Sequence, residues 1–430
     1  MLSSARRPER NAPVPSNSDL IAGLGKAALD TSYVSLGARR TASVHEFYRY
    51  PGRFSPAFAR AAIELFSEPG DLVLDPFMGG GTTLVEARLR GRLALGADIN
   101  SLAVFVSRAK TRAYHVASCQ EVEEWSEGLD GLRLSRSPLS RPKSGTSEGR
   151  ALDRPGTWRI RSAIGLALDS IASLHHPHAQ LLARCAILRT AQWALDMRDN
   201  TPAVSDFRQQ LCATSVAMAA VAREYGAEVA RADQLAPRIR SGPRTAIVSR
   251  PAESIAPLAR VPRLILTSPP YPGVYVNYHR WKVYGRKETG APFWITGSPD
   301  GHGIAYYTMG ARADDSGNRY FDSLARAWSN LAKVADSSTR VIQLLGFGKV
   351  QSDLERYLRV MQVAGFEEEF IAPIANNPDG RLWRSVPGRR WWVVADSRTA
   401  TAPSTAREVV LVHRLKASGF LGRTRPDRRQ

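Results

Sequence analysis

Short apolar runs alternate with amphipathic helical stretches in the first quarter of the chain. A helix is predicted over 57–66, and the apolar runs at 71–75 and 91–98 have the length of strands. Apolar positions at helical spacing follow each run, over 84–89 and 102–109. Apolar runs this short, bounded by Gly and Pro, are typical of strands buried in a parallel sheet. The order of elements therefore predicts the beginning of a doubly wound α/β fold.

The same alternation returns in the second half of the chain. The stretch 272–318 is an exception, because it is aromatic and Gly-rich and shows no clear period. Two segments near the end are predicted to pair as a terminal antiparallel hairpin, which would close one edge of the mostly parallel sheet. The predicted elements are strands at 245–249, 263–267 and 340–345, helices at 321–334 and 353–363, and hairpin strands at 367–374 and 390–395.

The α/β rhythm is interrupted between these two parts. Residues 133–157 are rich in Ser, Arg, Pro and Gly, as in exposed linkers, whereas 159–225 carry Ala and Leu at helical spacing. We interpret the interruption as a linker and a helical insertion. The predicted organisation is a flexible N-terminal lead-in at 1–40, the first part of an α/β domain at 41–115, the linker and helical insertion at 116–240, the second part of the domain at 241–400, and a basic C-terminal tail at 401–430.

The composition indicates the class of partner and not the chemistry. The chain has 430 residues, of which 43% are hydrophobic, and its net charge is +19. Such an excess of positive charge favours binding to phosphate-rich polymers. A bias in amino-acid composition, without any such partner, would give the same net charge. The three cysteines are scattered and form no C-x-x-C pair, which predicts a reducing, cytoplasmic location without a disulfide framework or a metal site. Neither a signal peptide nor a membrane span is expected.

The first candidate for chemistry is the loop Asp75-Pro-Phe-Met-Gly-Gly-Gly-Thr-Thr83, which follows the first predicted strand. Glycines after a strand let the backbone approach a ligand closely, and the next helix offers free N–H donors at its N-terminus. The loop lacks the G-x-x-x-x-G-K-[ST] pattern of phosphate-binding ATPases and differs from the G-x-G-x-x-G dinucleotide pattern. Asp98 ends the second strand, where an acid can hold ribose hydroxyls. A purely structural glycine turn is the alternative.

The second candidate is the turn Ser268-Pro-Pro-Tyr271, directly after an apolar strand. At the carboxyl end of a parallel strand this turn would face the ligand crevice. The two prolines stiffen the turn, Ser268 supplies a hydrogen-bond acceptor, and Tyr271 offers a flat face for stacking. The alternative is a rigid turn at a strand end without a chemical role.

Together, the two motifs resemble those of the S-adenosylmethionine-dependent amino-methyltransferases that modify cytosine N4 or adenine N6 in DNA. In that family a D-P-F-x-G-x-G-T-T loop binds the cofactor and an [SDN]-P-P-[YFW] turn binds the target amine. The resemblance covers about residues 45–115 and 245–400, and it implies a Rossmann-like fold of the class I methyltransferase type. The catalytic residues that it implies are Ser268, Pro269, Pro270 and Tyr271. The cofactor-binding residues that it implies are Tyr50, Phe54, Asp75, Pro76, Phe77, Gly79, Gly81, Thr82, Asp98 and Glu253.

Three of these assignments depend on position along the chain. The segment Tyr50–Phe54 is similar to the family's element that packs over the methionine part of the cofactor, and Asp98 to its ribose-binding acid. For the acid that contacts the adenine ring the sequence offers two candidates. Glu253 lies shortly before the catalytic strand, and Asp233 lies farther upstream.

The motif also predicts how an amine would be activated. If Ser268 Oγ and the carbonyl oxygen of Pro269 accept hydrogen bonds from the amine, its lone pair turns towards the methyl donor. A base in a duplex must be flipped out to reach such a pocket, and Tyr271 would stack on it. The predicted DNA-contacting residues interleave aromatics with cations, and the alternative is a partly buried aromatic loop with snorkelling cations. They are Tyr278, Arg280, Trp281, Lys282, Arg286 and Lys287.

Several substrates are compatible with these motifs. Ser at position 268 favours cytosine N4, whereas Asp at this position would favour adenine N6. RNA base methyltransferases use the same scaffold, often with Asn or Asp there, and a non-catalytic nucleic-acid-binding protein could retain the fold. The leading hypothesis is a cytosine-N4 methyltransferase that acts on double-stranded DNA. A cognate restriction nuclease or defence-system partner is a further candidate.

Overall fold

A computed structural model describes residues 16–30, 43–50, 55–131, 138–142, 145–152, 155–235, 243–272, 280–284, 287–301, 309, 318–347, 350–386 and 406–416. The strands in these residues are β1 (Leu72–Asp75), β2 (Leu93–Asp98), β3 (Thr245–Ser249), β4 (Leu264–Thr267), β5 (Trp281–Val283), β6 (Lys287–Thr289), β7 (Arg340–Gly346), β8 (Phe366–Glu368), β9 (Leu382–Val386) and β10 (Ala406–Leu415). The helices are α1 (Asn17–Leu29), α2 (Pro56–Phe66), α3 (Thr82–Leu89), α4 (Ser101–Thr111), α5 (Val116–Glu127), α6 (Trp158–Ser170), α7 (Pro177–Leu195), α8 (Val204–Leu235), α9 (Ala291–Thr296), α10 (Asn318–Val334) and α11 (Val350–Val363).

Eight of the strands form one mostly parallel sheet, in the order β3-β2-β1-β4-β7-β10-β8, with β9 paired to β10. The first five strands in that order are parallel, and β10 is antiparallel to β7, β8 and β9. The predicted Rossmann-like sheet with antiparallel strands at one end is thereby confirmed. From β1 the sheet continues through β2 to β3 on one side, and from β4 it continues to β7 on the other. The topological switch point therefore lies between β1 and β4.

The central strands are buried on both faces, which explains their continuous apolar sequence. Successive residues of β1 point to opposite faces, so Val73 packs with Phe58 and Ile63 of α2, whereas Leu74 packs into the cluster that contains Trp328 of α10. Helices therefore cover both faces of the sheet. This double cover leaves the carboxyl edge of the parallel strands as the place where loops can form a crevice.

The predicted helical insertion is present as α5, α6, α7 and α8. Its apolar residues are continuous with those of the sheet domain, because Leu188 of α7 and Ala222 of α8 share one cluster with Val85 of α3 and Val106 of α4. The insertion is thus packed on the helices that follow β1 and β2. No helix in the described parts of the chain is long and apolar enough to cross a membrane.

Two terminal segments that are predicted to lie outside the α/β domain contain regular elements of its structure. Within the predicted lead-in at 1–40, Ser16 caps α1, and Leu24 and Ala28 are fully buried. Within the predicted tail at 401–430, β10 pairs with β7. Both expectations are corrected because each segment carries an apolar set that the sheet domain buries.

The terminal hairpin also differs in its strands from the prediction. The segment 367–374 contributes only to the short β8, and β8 pairs with β10. The predicted partner, 390–395, lies outside the described residues. The long apolar run of β10 supplies the antiparallel pairing instead, since it can bond on both of its edges.

Candidate active site

The two sequence motifs meet at the switch point of the sheet. β1 and β4 are neighbouring parallel strands, so the loops that leave Asp75 and Thr267 start side by side at the carboxyl edge. A direct hydrogen bond joins the strand ends, because Thr267 Oγ1 donates to Asp75 Oδ1 over 2.7 Å. In sheets of this kind the crevice at the switch point is the usual ligand site.

The glycine loop is shaped by packing as well as by access for a ligand. Gly79 and Gly81 have φ angles of +46° and +76°, and Gly81 precedes the first turn of α3. A Cβ on Gly81 would lie 2.6 Å from Ser107 Oγ on α4. Ser107 Oγ in turn donates to the carbonyl of Gly79 over 3.0 Å. Any side chain at 81 would therefore meet both a strained backbone and α4.

Tyr50 covers the other side of the glycine loop. A Cβ on Gly80 would lie 2.9 Å from Tyr50 Cβ and 3.2 Å from the first atom of its ring, and the Tyr50 hydroxyl accepts a hydrogen bond from Asn100 Nδ2 at 3.2 Å. The buried Lys110 donates from Nζ to the carbonyl of Gly80 over 3.2 Å. Asn100 and Lys110 were not predicted from the sequence, since each acts on the loop from α4 or its cap. Phe54 lies outside the described residues.

Asp98 stands at the carboxyl end of β2, next to this loop. Its carboxylate accepts hydrogen bonds from the backbone N–H of Gly79 at 2.9 Å and of Asn100 at 2.8 Å. Burial raises the pKa of Asp98 to about 6, so the group is ionised at neutral pH. A half-buried carboxylate beside a glycine turn fits the hydroxyls of a ribose, which are neutral donors. The acceptor and the close backbone approach fit the cofactor that the sequence implies.

Asp75 has a different environment from the predicted one. Only 1% of its surface is exposed, and burial raises the pKa of this carboxyl to about 7. Its oxygens accept hydrogen bonds from Thr267 Oγ1 and from the N–H of Phe77. The side chain joins two strand ends, and the assignment of Asp75 as a cofactor ligand stays a prediction. Pro76 and Thr82 are likewise buried, and Phe77 is half-buried.

Ser268 is held in one orientation by the neighbouring strand. Its Oγ donates to the carbonyl of Leu344 in β7 over 3.0 Å, which occupies the hydroxyl hydrogen. The lone pairs of Oγ are then the atoms that can act on a ligand. The backbone of the turn is fixed as well, since Tyr320 donates from its hydroxyl to the carbonyl of Pro270 over 2.7 Å. Pro269 is buried and Ser268 half-buried.

Tyr271 is bound to a buried ion pair that the sequence did not reveal. Its hydroxyl donates to Glu408 Oε1 over 3.1 Å, and it lies 3.4 Å from Ser268 Oγ. Glu408 pairs with Arg384 at 2.6 Å, and both side chains are almost fully buried. The ring packs against Gly346, where an added Cβ would lie 2.9 Å from it. A single acid in the apolar run of β10 was the available signal, because a buried acid requires a partner.

The two candidates for the adenine-binding acid lie at different edges of the sheet. Asp233 forms a two-pronged pair with Arg88, at 2.7 and 2.8 Å, in the last turn of α3. This helix starts at the carboxyl edge, so its last turn is at the opposite edge, and Asp233 is excluded as a ligand of the crevice. Glu253 follows the carboxyl end of β3 but pairs with Arg326 of α10 at 2.9 Å. Its cofactor role stays a prediction.

The predicted DNA-contacting loop is partly structural. Trp281 is 1% exposed and donates from Nε1 to the hydroxyl of Tyr48 over 2.9 Å. Arg280 is largely buried and forms an ion pair with Asp300 at 2.7 Å. Both assignments are corrected, because these side chains are committed to the protein interior. Lys282 and Lys287 are exposed, whereas the predicted contacts Tyr278 and Arg286 lie outside the described residues.

The described residues contain no group of three or more His, Cys, Asp or Glu side chains that could hold a metal ion. The switch point offers several hydrogen-bond acceptors. Ser268 Oγ, the carbonyls of the proline turn and the carboxylate of Asp98 converge on the same edge of the sheet.

Comparisons with known proteins match the part of the chain that contains the glycine loop to methyltransferases. The DNA methylase family model for N6 and N4 methyltransferases matches residues 30–107, which is less than a fifth of the chain. The chain is 31% identical over 83 residues to the type II methyltransferase M.MjaII of Methanocaldococcus jannaschii, covering 19% of this chain and 16% of that protein. It is 40% identical over 70 residues to the type II methyltransferase M.MvaI of Kocuria varians, covering 16% and 15%.

A second group of relatives is named for a different substrate. The chain is 38% identical over 81 residues to the tRNA (guanine(10)-N2)-dimethyltransferase of Methanothermobacter thermautotrophicus, covering 19% of this chain and 24% of that protein. Among solved structures, an rRNA methyltransferase, aviRa, from Streptomyces viridochromogenes aligns over 90% of this chain and 94% of its own, with 11% identity and a TM-score of 0.33. The chain thus matches less than a quarter of the length of each of these sequence relatives.

Proposed function

We propose that this chain is an S-adenosylmethionine-dependent methyltransferase that modifies an exocyclic amino group of a base in DNA, with cytosine N4 the favoured target. One observation carries the proposal: the glycine loop and the Ser268–Tyr271 turn leave adjacent strands at the switch point and are joined there by the bond between Thr267 and Asp75. A cofactor site and an amine-binding turn must be neighbours if a methyl group is to pass directly between them.

S-adenosylmethionine, when bound, supplies an electrophilic methyl group. Asp98 would hold its ribose, while Gly79 and Gly81 would admit its methionine end and Tyr50 would bound that end of the site. Glu253 would be the acid nearest the adenine ring. These roles require a carboxylate, a close backbone approach and an apolar wall, and those features are present at the carboxyl edge of β1 and β2.

The amine of cytosine is a weak nucleophile because its lone pair is delocalised into the ring. Ser268 Oγ, whose hydrogen is donated to Leu344, has lone pairs to accept one amine hydrogen, and the carbonyl of Pro269 would accept the other. Both bonds strengthen as positive charge develops on nitrogen, so they favour the transition state over the ground state. The target base would be flipped out of the duplex and stacked against Tyr271.

The sequence matches favour DNA as the substrate, whereas the charge favours a nucleic acid of either kind. The family model and the type II methyltransferase relatives match the part of the chain that includes the glycine loop. The net charge of +19 suits a polyanion, and Lys282 and Lys287 are exposed to meet phosphates. Serine at position 268 favours cytosine over adenine.

An exocyclic amine in RNA is the second candidate, and a specific observation favours it. A tRNA guanine-N2 dimethyltransferase is as similar to this chain as the type II enzymes are, over a segment of comparable length. The same pair of acceptors could bind a guanine amine. The two candidates share a mechanism and differ in the polymer that is bound.

The test is transfer of a tritiated methyl group to unmethylated duplex DNA and to total RNA, followed by nucleoside analysis. Label on N4-methylcytosine is the expected result, and the Asp98→Ala variant, which lacks the ribose acceptor, is the matched control. Label on N6-methyladenine would change the base while keeping the mechanism, and label in RNA alone would replace the substrate. Absence of label from both polymers would refute the proposal.

A further inference from the structure

Three residues form a row across neighbouring strands at the catalytic edge. In β10, Glu408 is directly opposite Gly346 of β7 on one side and Arg384 of β9 on the other. Side chains opposite each other in paired strands project from the same face. The row therefore consists of a glycine without a side chain, an acid and an arginine, side by side. None of the three belongs to either sequence motif.

The ring of Tyr271 fills the space beside Gly346, where the row has no side chain. Two edge atoms of its ring lie 2.9 and 3.0 Å from where a Cβ on Gly346 would be, and Glu408 Cγ lies at 3.4 Å. Only glycine leaves this slot open. The tyrosine hydroxyl then reaches the adjacent acid, to whose Oε1 it donates over 3.1 Å.

Both oxygens of Glu408 are used, which fixes its rotamer. Arg384 donates from Nε at 2.8 Å and from Nη2 at 2.6 Å, both to Oε2, whereas Tyr271 donates to Oε1. Arg384 is itself anchored, because Nη1 donates to the carbonyl of Ala28 in α1 over 3.0 Å. A carboxylate held at two points offers the tyrosine hydroxyl a fixed acceptor.

We infer that Glu408, held by Arg384, is a positioning residue for methyl transfer, and that it acts by fixing the hydroxyl of Tyr271 and thereby the side of the pocket that faces Ser268. This inference rests on the proposed function. Tyr271 Oη lies 3.4 Å from Ser268 Oγ, so a tyrosine released from Glu408 could swing towards the acceptor that the amine needs. Misplacement of a reacting group by about 1 Å can cost roughly 100-fold in rate.

The test is a double-mutant cycle between Glu408→Gln and Tyr271→Phe, measured as single-turnover methyl transfer with cofactor affinity determined separately. Each single variant is expected to lower the transfer rate roughly 10- to 100-fold while cofactor affinity changes less than about twofold. In the Tyr271→Phe background, Glu408→Gln should lower the transfer rate by a further factor of less than about two, because the hydroxyl through which Glu408 acts is gone. The same loss in both backgrounds, or no loss in wild type, would overturn the inference.

A matched control separates this effect from general loss of an ion pair. Glu368 in β8 also pairs with β10 and forms a two-pronged pair with Arg381, at 2.7 and 2.8 Å. Glu368→Gln is expected to leave the transfer rate unchanged. Since Glu408→Gln leaves Arg384 buried without a counter-charge, the double variant Arg384→Gln/Glu408→Gln removes both charges and serves if the single variant does not fold.

A second readout is independent of activity. In protein labelled with ¹³C at tyrosine Cζ, the Tyr271 resonance is identified by its loss in Tyr271→Phe. It should shift in Glu408→Gln and stay in place in Glu368→Gln, and a resonance that does not respond to Glu408→Gln would refute the contact. If the wild type transfers no methyl group to DNA or RNA, the proposed function fails, while this resonance still decides whether Glu408 holds the hydroxyl of Tyr271.

Discussion

Replacing Asp75 with Asn should change the pH dependence of folding. Asp75 is 1% exposed, and burial raises its pKa from 3.8 to about 7. Between these two values the folded protein binds a proton that the unfolded chain has released. Stability therefore falls as pH rises through this window, by about 1.4 kcal/mol per pH unit, or roughly 4 kcal/mol in all.

The amide introduced by Asp75→Asn would keep the local hydrogen bonds. Its oxygen can still accept from Thr267 Oγ1 and from the N–H of Phe77, and its NH₂ group faces the side chain of Thr83, which also bonds to Asp75. The variant thus removes the ionisation with little change of shape. Relative to wild type, Asp75→Asn is expected to gain stability steadily from about pH 4 to about pH 7 and to keep a constant advantage above that range.

The assay is equilibrium unfolding in urea, followed by tryptophan fluorescence at half-unit steps between about pH 4.5 and about pH 8.5, a range that spans the folded-state pKa. Asp206→Asn removes an exposed carboxylate from α8 and gives the baseline for loss of one charge. A stability difference between wild type and Asp75→Asn that does not change with pH would refute the reasoning. A wild type that gains relative stability as pH rises would show that the carboxylate is favoured in the fold.

Three further predictions concern the crevice and its approach. Ser268→Ala should lower turnover by roughly 100- to 1,000-fold with cofactor affinity retained, because it removes one acceptor for the amine. Single-turnover methyl transfer measures the rate and calorimetry the cofactor affinity, and full activity would contradict the mechanism. Cofactor affinity of the wild type should fall about tenfold per pH unit below about 6, where Asp98 becomes protonated, whereas Asp98→Asn should bind weakly at every pH in the same titration. Replacing Lys282 and Lys287 with Gln should reduce the slope of log DNA affinity against log salt concentration by about 2, as measured by fluorescence anisotropy. An unchanged slope would show that neither lysine contacts the phosphates.

Much of the sheet could be predicted because its signals are local. The apolar runs of β1, β2, β4 and β7 have strand length and lie between Gly, Pro or charged residues, so their periodicity is visible in a few contiguous positions. The glycine loop and the proline turn are equally local. Their placement at the carboxyl ends of strands followed from the order of elements alone.

The role of single residues in the long aromatic stretch was less predictable. Arg280 and Trp281 are residue types that are typical of nucleic-acid contacts. In the fold, however, Arg280 pairs with Asp300 and Trp281 bonds to Tyr48, and both side chains are largely buried. Composition identifies residues that can bind phosphates or bases. It does not reveal whether a partner elsewhere in the chain has already engaged them.

The sequence by itself determined the fold class, the two motifs and their position at the carboxyl edge, because each depends on the spacing of neighbouring residues. Only the tertiary structure decided that Asp75 bonds to Thr267, 192 positions away, and that Tyr271 bonds to Glu408, 137 positions away. Such pairs leave no periodic signal, since a buried acid needs one donor at the right distance and any strand can supply it. The backbone pairings that bring β4 to β1 and β10 to β7 supply that distance.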